Sequence, residues 1–423
     1  MAKPWSDQIA AMYDLRMPAD LAAWLDDEVW REAAGAEFCM ARTPSQLLVP
    51  EPGVVWGGFM LPDTLPIISN QYGDWLCLRA ASDGQIREII YWCHRGGDWI
   101  PYGRSLSEAL LYDAAFRLNY DRRAEWGGVQ EDDRNGLFRA AEWALTAIDP
   151  RRQPARFWQS DHATDGPLAA LRAAGVADTA VSRDLILHAL ESELKVRGTA
   201  HVASEMGLQW EPDFVSWVFD GALIPELTRE ELSRQLQTPV DQLTVQDWDR
   251  AEVLALEVIA SRDDMGWAFD VAGWAAERRG DFAAALDLYW RGLHCSAFSD
   301  DTVRFRTHWF PAEFGKFAAA RMHVLRDHLP TDWAEDAYLQ LFWAGDAESL
   351  HERVKQYWCG VADDQMDVGM HAAAYQSYYR AGWDIGLRVV TDYSEILEQM
   401  AAAAAAAHYS ALERIARLHA RFL

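Results

Sequence analysis

Three runs of β-branched and aromatic residues, separated by two short turns, occupy residues 65 to 92. The first two runs, 65–69 and 74–79, flank the turn-like residues 70–73, and Asp83-Gly84 precedes the third run, 86–92. Short runs of this kind, bounded by Asn, Asp and Gly, are typical of consecutive antiparallel strands. A fourth run at 98–102 leads into a capping box, Ser105-x-x-Glu108, which predicts a helix to about residue 120. The pattern predicts an α+β domain with a mainly antiparallel sheet.

The residues ahead of these runs have a different pattern. Apolar residues at helical spacing between 19 and 40 predict one or two short amphipathic helices. Residues 43–66 contain five prolines and three glycines, a density of helix breakers that predicts an extended, looped segment.

Beyond residue 122 the strand alternation ends and short helical patterns follow one another. We therefore predict a sheet domain at 1–122, a linker or connecting helix at 123–165 and an all-α domain at 166–423. Predicted helices are 168–174, 182–197, 212–219, 226–236, 245–259 and 265–278, with a C-terminal helix that includes the alanine run 401–407 and continues to about Leu418.

One helical unit has a more specific pattern. Residues 275–289, with Gly280-Asp281 between two runs rich in small residues, resemble a tetratricopeptide helix hairpin. Weaker matches to the same pattern surround Gly345 and Gly382. Because the spacing of the three glycines is irregular, we predict an irregular helical array with no fixed repeat period.

The net charge of −26 limits the classes of partner that this protein can bind. A field of this sign repels nucleic-acid phosphates and anionic membrane surfaces, so both are disfavoured, while a basic protein partner is favoured. The alternative is that the acidity serves only solubility. Five widely spaced cysteines without a C-x-x-C pair, and no apolar run long enough for export or membrane insertion, predict a cytoplasmic protein.

The ordered segments 65–70, 73–78, 83–86, 89–92 and 105–110 resemble the SUKH superfamily, which includes fungal Smi/Knr cell-wall regulators and many bacterial immunity proteins that neutralise toxins. The resemblance covers roughly residues 15–122. It departs from the family in the segment 60–63, which lies almost directly against the first strand. What the resemblance implies is an α+β domain that binds proteins and performs no chemistry.

The loop between the third and fourth runs is the predicted binding surface. Aromatic and Arg side chains on a loop held by a sheet are the types that dominate interface energetics. The alternative is that Trp92 and Trp99 pack inward and Gly96-Gly97 only turns the chain. The candidate binding residues are Trp75, Trp92, His94, Arg95, Asp98, Trp99 and Tyr102.

Neither a catalytic residue, a metal ligand nor a cofactor is predicted. His94 and Asp98 could form an oriented histidine, but no nucleophile accompanies them, and the acidic clusters lack EF-hand spacing. The leading hypothesis is a non-enzymatic binding protein, with an immunity protein against a basic toxin as its specific form. The alternatives are a scaffold that uses the helical array and, third, an enzyme with a site between the two halves.

Overall fold

A computed structural model of the chain describes residues 3–31, 37–49, 60–70, 72–94, 97–123, 131–149, 171–172, 175–176, 178–190, 225–240, 248–299, 316–344 and 348–422. In this part, a sheet with flanking helices comes first and every later element is a helix. The predicted fold class, an α+β domain followed by an all-α region, is therefore confirmed. Three predicted features lie wholly or mostly outside the described residues. They are the helix at 212–219, the helix at 168–174 and the weaker hairpin match at Gly345.

The sheet is a five-stranded antiparallel meander. Its strands pair in chain order, and the four runs predicted from the sequence match β2 to β5 within one residue at each end. The elements of this part are α1 (Trp5–Tyr13), α2 (Ala19–Asp26), a 3-10 turn (Val29–Arg31), β1 (Met40–Ala41), α3 (Pro44–Leu48), β2 (Thr64–Ser69), β3 (Trp75–Ala80), β4 (Ile86–Trp92), β5 (Trp99–Gly103) and α4 (Leu106–Arg123).

The prediction that residues 43–66 are looped throughout is wrong for helix α3. Thr43 and Gln46 form a capping box in which the Thr43 Oγ1 accepts from the Gln46 amide and the Gln46 Oε1 accepts from the Thr43 amide, at 3.3 and 2.8 Å. Pro44 occupies the first helical position, where its missing N–H removes no helical hydrogen bond. A proline that breaks a helix interior can therefore start a helix.

The sheet is buried on both faces, because nearly all residues of β2, β3 and β5 are inaccessible to solvent. Tyr91 and Tyr102 lie on one face with their ring centroids 5.8 Å apart. Tyr112 of helix α4 packs edge-on against Tyr102 at 4.7 Å, and Asp113 accepts a hydrogen bond from the Tyr102 hydroxyl. Helix α4 therefore covers this face.

The helices that follow in the described part are α5 (Glu131–Ile148), α6 (Asp178–Leu190), α7 (Glu226–Leu236), α8 (Trp248–Ser261), α9 (Gly266–Arg278), α10 (Phe282–Leu293), α11 (Phe317–Val324), α12 (Thr331–Ala334), α13 (Ala337–Trp343), α14 (Leu350–Asp367), α15 (His371–Trp383), α16 (Asp392–Ala406) and α17 (Ser410–Arg421). The helices predicted at 226–236 and 265–278 coincide with α7 and α9 to within one residue. The prediction of one C-terminal helix is wrong, because α16 ends at Ala406 and α17 begins at Ser410, with His408 between them at a φ of 62°. None of the described helices is both long and apolar enough to cross a bilayer.

The chain forms two compact units, one of residues 1–181 and 355–423 and the other of residues 182–354. In the first unit, helix α17 returns to the N-terminal elements. The His419 Nε2 donates to the Thr64 carbonyl of β2 at 3.0 Å, and the Arg414 guanidinium donates to the carbonyls of Ala11 and Met12 in α1. Nothing in the sequence pattern indicates this return. The domain boundaries predicted near residues 122 and 165 stay a prediction.

The second unit contains the tetratricopeptide-like hairpin, formed by α9 and α10. Gly280 has a φ of +78°, which glycine adopts without a steric cost, and Asp281 caps α10 by accepting from the Ala284 amide at 3.1 Å. Gly273 allows the two helices to approach closely, because a Cβ at this position would lie 2.5 Å from the ring of Tyr289.

Gly273→Ala is expected to lower the free energy of unfolding of this hairpin by about 1 to 3 kcal/mol, because Tyr289 is fully buried and has little room to move. Urea denaturation measures the change. Gly360→Ala in α14, at a helical glycine of the first unit, is the control for adding a methyl group where there is room. Its Cβ would meet nothing within 4 Å, so the better helix former should stabilise by about 0.5 to 1 kcal/mol. Equal stability of the two variants would contradict the close approach.

Candidate functional site

The predicted tryptophans form one row across the sheet. Trp75 of β3 is the Cα partner of Trp92 of β4, which is in turn the partner of Trp99 of β5. Trp92 and Trp99 are buried, whereas Trp75 is partly exposed. The inward-packing alternative therefore describes Trp92 and Trp99, and Trp75 alone of the three is accessible in part, although its indole nitrogen is buried.

The other four predicted residues also differ in exposure. Asp98 and Tyr102 are buried, and the Tyr102 hydroxyl is bonded to Asp113 at 3.2 Å. Arg95 lies outside the described residues. His94 retains 29% of its side-chain exposure. The accessible part of the predicted surface is therefore reduced, within the described residues, to His94 and Trp75.

The carboxylate partner of His94 is Asp74, in place of the predicted Asp98. The Asp74 Oδ1 accepts from the His94 ring Nδ1 at 2.7 Å and from the His94 backbone amide at 2.9 Å. The two residues are 20 positions apart. The β3–β4 register explains the contact, because Trp75 and Trp92 are partners and the residues just beyond them therefore meet at the same end of the sheet.

Asp74 is also held by the turn that precedes it. Its Oδ2 accepts from the Asn70 side-chain amide at 2.9 Å and from the Tyr91 hydroxyl at 3.0 Å. The Asn70 Oδ1 in turn accepts from the backbone amides of Tyr72 and Asp74. We name these four residues, Asn70, Asp74, Tyr91 and His94, the sheet-end cluster. Its sequence signal is the Asn-x-x-Gly-Asp segment at 70–74, a pattern that predicts a turn and does not show which side chains the turn brings together.

The sheet-end cluster keeps Asp74 ionised. Burial raises the pKa of Asp74, but hydrogen bonds from the backbone and ring of His94, from Asn70 and from Tyr91 outweigh this effect and hold the pKa below its usual value. An ionised carboxylate can only accept hydrogen bonds. The His94 Nδ1 must therefore carry a proton, and in the neutral imidazole the Nε2 is an acceptor.

The sheet end also presents apolar side chains to solvent. Tyr72, between Asn70 and Asp74, is 74% exposed, and Met40 of β1 is about half exposed. Met40 pairs with Ser69, which pairs with Trp75, so Met40 and Trp75 belong to the same row across the sheet. An exposed aromatic therefore lies on a turn that the Asn70 and Asp74 side chains hold in place.

A second polar cluster lies inside the first unit. The buried Arg79 of β3 donates from Nε to Asp63 at 2.8 Å and from Nη1 to Glu88 at 3.0 Å, and its guanidinium carbon lies 4.6 Å from the centroid of Trp99. Burial lowers the pKa of Arg79. Attraction to Asp63 and Glu88 outweighs this effect and raises the pKa well above its usual value. We name Asp63, Arg79 and Glu88 the Arg79 cluster. Its burial gives it a structural role.

The second unit also contains buried ionisable side chains. The Lys316 Nζ donates to the carbonyls of Leu293 and Cys295, both at 2.7 Å, and to the Tyr338 hydroxyl at 3.1 Å. Burial raises the pKa of Asp270 well above its usual value, although Lys316 counteracts it. Because the three donor positions of the ammonium are used within the protein, Lys316 joins helices α10 and α13 and offers none of them to a ligand.

The chemistry available at the sheet-end cluster is recognition by hydrogen bonding. In the part of the chain that the structure describes, no hydroxyl or thiol side chain is hydrogen-bonded to His94. Nor do those residues bring three or more His, Cys, Asp or Glu side chains together at a geometry suited to a metal ion.

Comparisons with known proteins do not assign this chain to a family. No family model, curated protein or solved structure matches this chain significantly. The likeness to the SUKH superfamily therefore depends on the sequence segments alone.

Proposed function

We propose that this protein is a non-enzymatic binding protein and that it contacts its partner through the sheet end, with Tyr72, Trp75 and His94 at the centre. The observation that carries the proposal is the exposed Tyr72 on a turn fixed by Asn70 and Asp74. A large aromatic side chain on a rigid turn buries much area at a low entropy cost, which is typical of residues that dominate interface energetics.

The proposed partner is a basic protein. The net charge of −26 accelerates encounter with a cationic protein and disfavours acidic competitors. The SUKH-like segments support a specific form of the proposal, an immunity protein that occludes a basic toxin. In this form, the helical region that follows the sheet domain serves as a scaffold.

Affinity capture from the source cells, with full-length protein at low and at high salt, tests the proposal. We expect the capture of a basic partner. Tyr72→Ala should weaken the affinity for this partner at least about tenfold, as is typical when a central aromatic residue of an interface is truncated. High salt should weaken capture because it screens the charge attraction. Capture that Tyr72→Ala leaves unchanged would contradict the sheet end as the contact surface.

One observation favours the scaffold as a second candidate. Val253 and Leu256 of α8 are exposed and lie three positions apart, so they share one face of the helix. Under the scaffold hypothesis, Val253→Ser with Leu256→Ser abolishes capture and Tyr72→Ala does not. This double variant is therefore also the control for the sheet-end proposal, under which it binds like the wild type.

A further inference from the structure

The orientation of His94 determines what the sheet end can recognise. Its ring lies over Gly73, where an added Cβ would be 3.4 Å from the His94 Cγ, and its Nδ1–H is directed at Asp74. Both contacts fix the ring plane. The Nε2 on the opposite side of the ring makes no hydrogen bond with any described residue, and in the neutral ring it lacks a proton. In that form it can accept a hydrogen bond but not donate one.

The surroundings of His94 favour a positively charged donor. The described residues of the sheet end, which are 37–41, 69–70, 72–75, 91–94 and 97–99, contain the acids Glu37, Asp74 and Asp98 and neither Lys nor Arg. In the sequence, Arg95 follows His94 directly and lies outside these residues. The charge of these described residues thus has the same sign as the net charge of the chain, and a hydrogen bond from a charged donor is stronger than one from a neutral donor.

The aromatic side chains distinguish between the two basic residues. Tyr72 and Trp75 border the same turn and are exposed and partly exposed. A guanidinium is planar, stacks on aromatic faces and still directs N–H groups outward in its plane, whereas an ammonium is more strongly hydrated. An arginine can therefore use the rings and the imidazole acceptor together.

We infer that the His94 Nε2, oriented by Asp74, accepts a hydrogen bond from an arginine side chain of the protein partner. The inference depends on the proposed binding function and adds the chemistry of the contact. Asp74 acts as the positioning residue and His94 as the acceptor. Lysine at the same place is the alternative that the experiment separates.

Two substitutions at His94 isolate the acceptor. In His94→Asn the amide nitrogen can take the place of Nδ1 and keep the Asp74 contact, but nothing replaces Nε2. In His94→Gln the amide oxygen can replace Nε2 as the acceptor. The probe is a nine-residue Gly/Ser peptide containing three arginines, at physiological ionic strength so that the long-range attraction of the acidic chain is screened. Peptides with three lysines or three norleucines are the controls.

The expected ¹⁵N spectrum of the free protein shows His94 protonated at Nδ1, and the arginine peptide shifts its Nε2 resonance. We expect His94→Asn to weaken the affinity for the peptide about tenfold, because one charge-assisted hydrogen bond is lost. The affinity of His94→Gln should stay within about threefold of the wild-type value, because the bond is kept. A proton on Nε2 in the free protein, or equal affinities of the two variants, would overturn the inference. So would equally tight binding of the lysine peptide.

The outcomes keep the two proposals separate. If Tyr72→Ala weakens peptide binding while His94→Asn does not, the sheet end binds and only the acceptor role of His94 is wrong. If neither change affects binding, the contact lies elsewhere and both proposals fail.

Discussion

Arg79→Met is expected to lower the free energy of unfolding of the first unit by about 3 to 5 kcal/mol, because it removes the buried counter-charge of Asp63 and leaves Glu88 with the half-exposed Arg87, whose Nε lies 3.9 Å away. The size of the effect comes from desolvation, since neither carboxylate can regain water while the sheet stays folded. Hydrogen exchange of the β3 and β4 amides in increasing urea reports this unit separately.

Two variants test this explanation of the Arg79 cluster. Arg87→Met removes the other, half-exposed arginine beside Glu88, at 3.9 Å, and should change stability by no more than about 0.5 kcal/mol while Arg79 remains. Adding Asp63→Leu and Glu88→Leu to Arg79→Met should recover much of the loss, because no unpaired charge remains buried. A loss below about 1 kcal/mol for Arg79→Met alone would show that water reaches the cluster.

Acidification is expected to destabilise the first unit through His419. Burial lowers the pKa of this histidine from 6.5 to about 4, although Thr64 and Asp63 oppose the shift. The unfolded chain therefore binds a proton between pH 6.5 and 4 that the folded chain does not. The stability contributed by neutral His419 is fully present above pH 6.5 and is lost as the pH falls to 4. A shift of this size corresponds to about 3 kcal/mol.

The measurement is the difference in stability between pH 7 and pH 4 for wild type and His419→Gln. Glutamine can still donate from the position of Nε2 to the Thr64 carbonyl but does not titrate, so the variant should lose about 3 kcal/mol less on acidification. His408→Asn is the control at an exposed histidine, where asparagine tolerates the φ of 62°. Identical pH profiles of wild type and His419→Gln would contradict a neutral, buried His419.

Much of the fold follows from local patterns. Strands β2 to β5 were predictable because β-branched and aromatic residues lie between Asn, Asp and Gly turns, and the α9–α10 hairpin because Gly280-Asp281 interrupts two helical runs. The cap of α4 was half predictable. The Ser105 Oγ accepts from the Glu108 amide as expected, but the Glu108 carboxylate accepts from the amide of Arg104, one residue earlier than a capping box requires.

The remaining features depend on contacts distant in sequence. His94 was selected as a site residue, but its true partner is 20 positions away and is brought to it by the strand register, whereas Asp98 is near in sequence and buried. Helix α17 docks on β2 through His419 and on α1 through Arg414. An amphipathic pattern shows that such a helix has an apolar face and does not show what that face covers.

Hydrogen–deuterium exchange of the full-length protein, alone and saturated with the captured basic partner, decides whether the sheet end is the binding surface. We predict protection of residues 69–75 and 91–94 on binding, with unchanged exchange in helix α8 at 248–261. Protection confined to α8, or absent from the sheet end while the partner is bound, would contradict the proposed site and favour the scaffold.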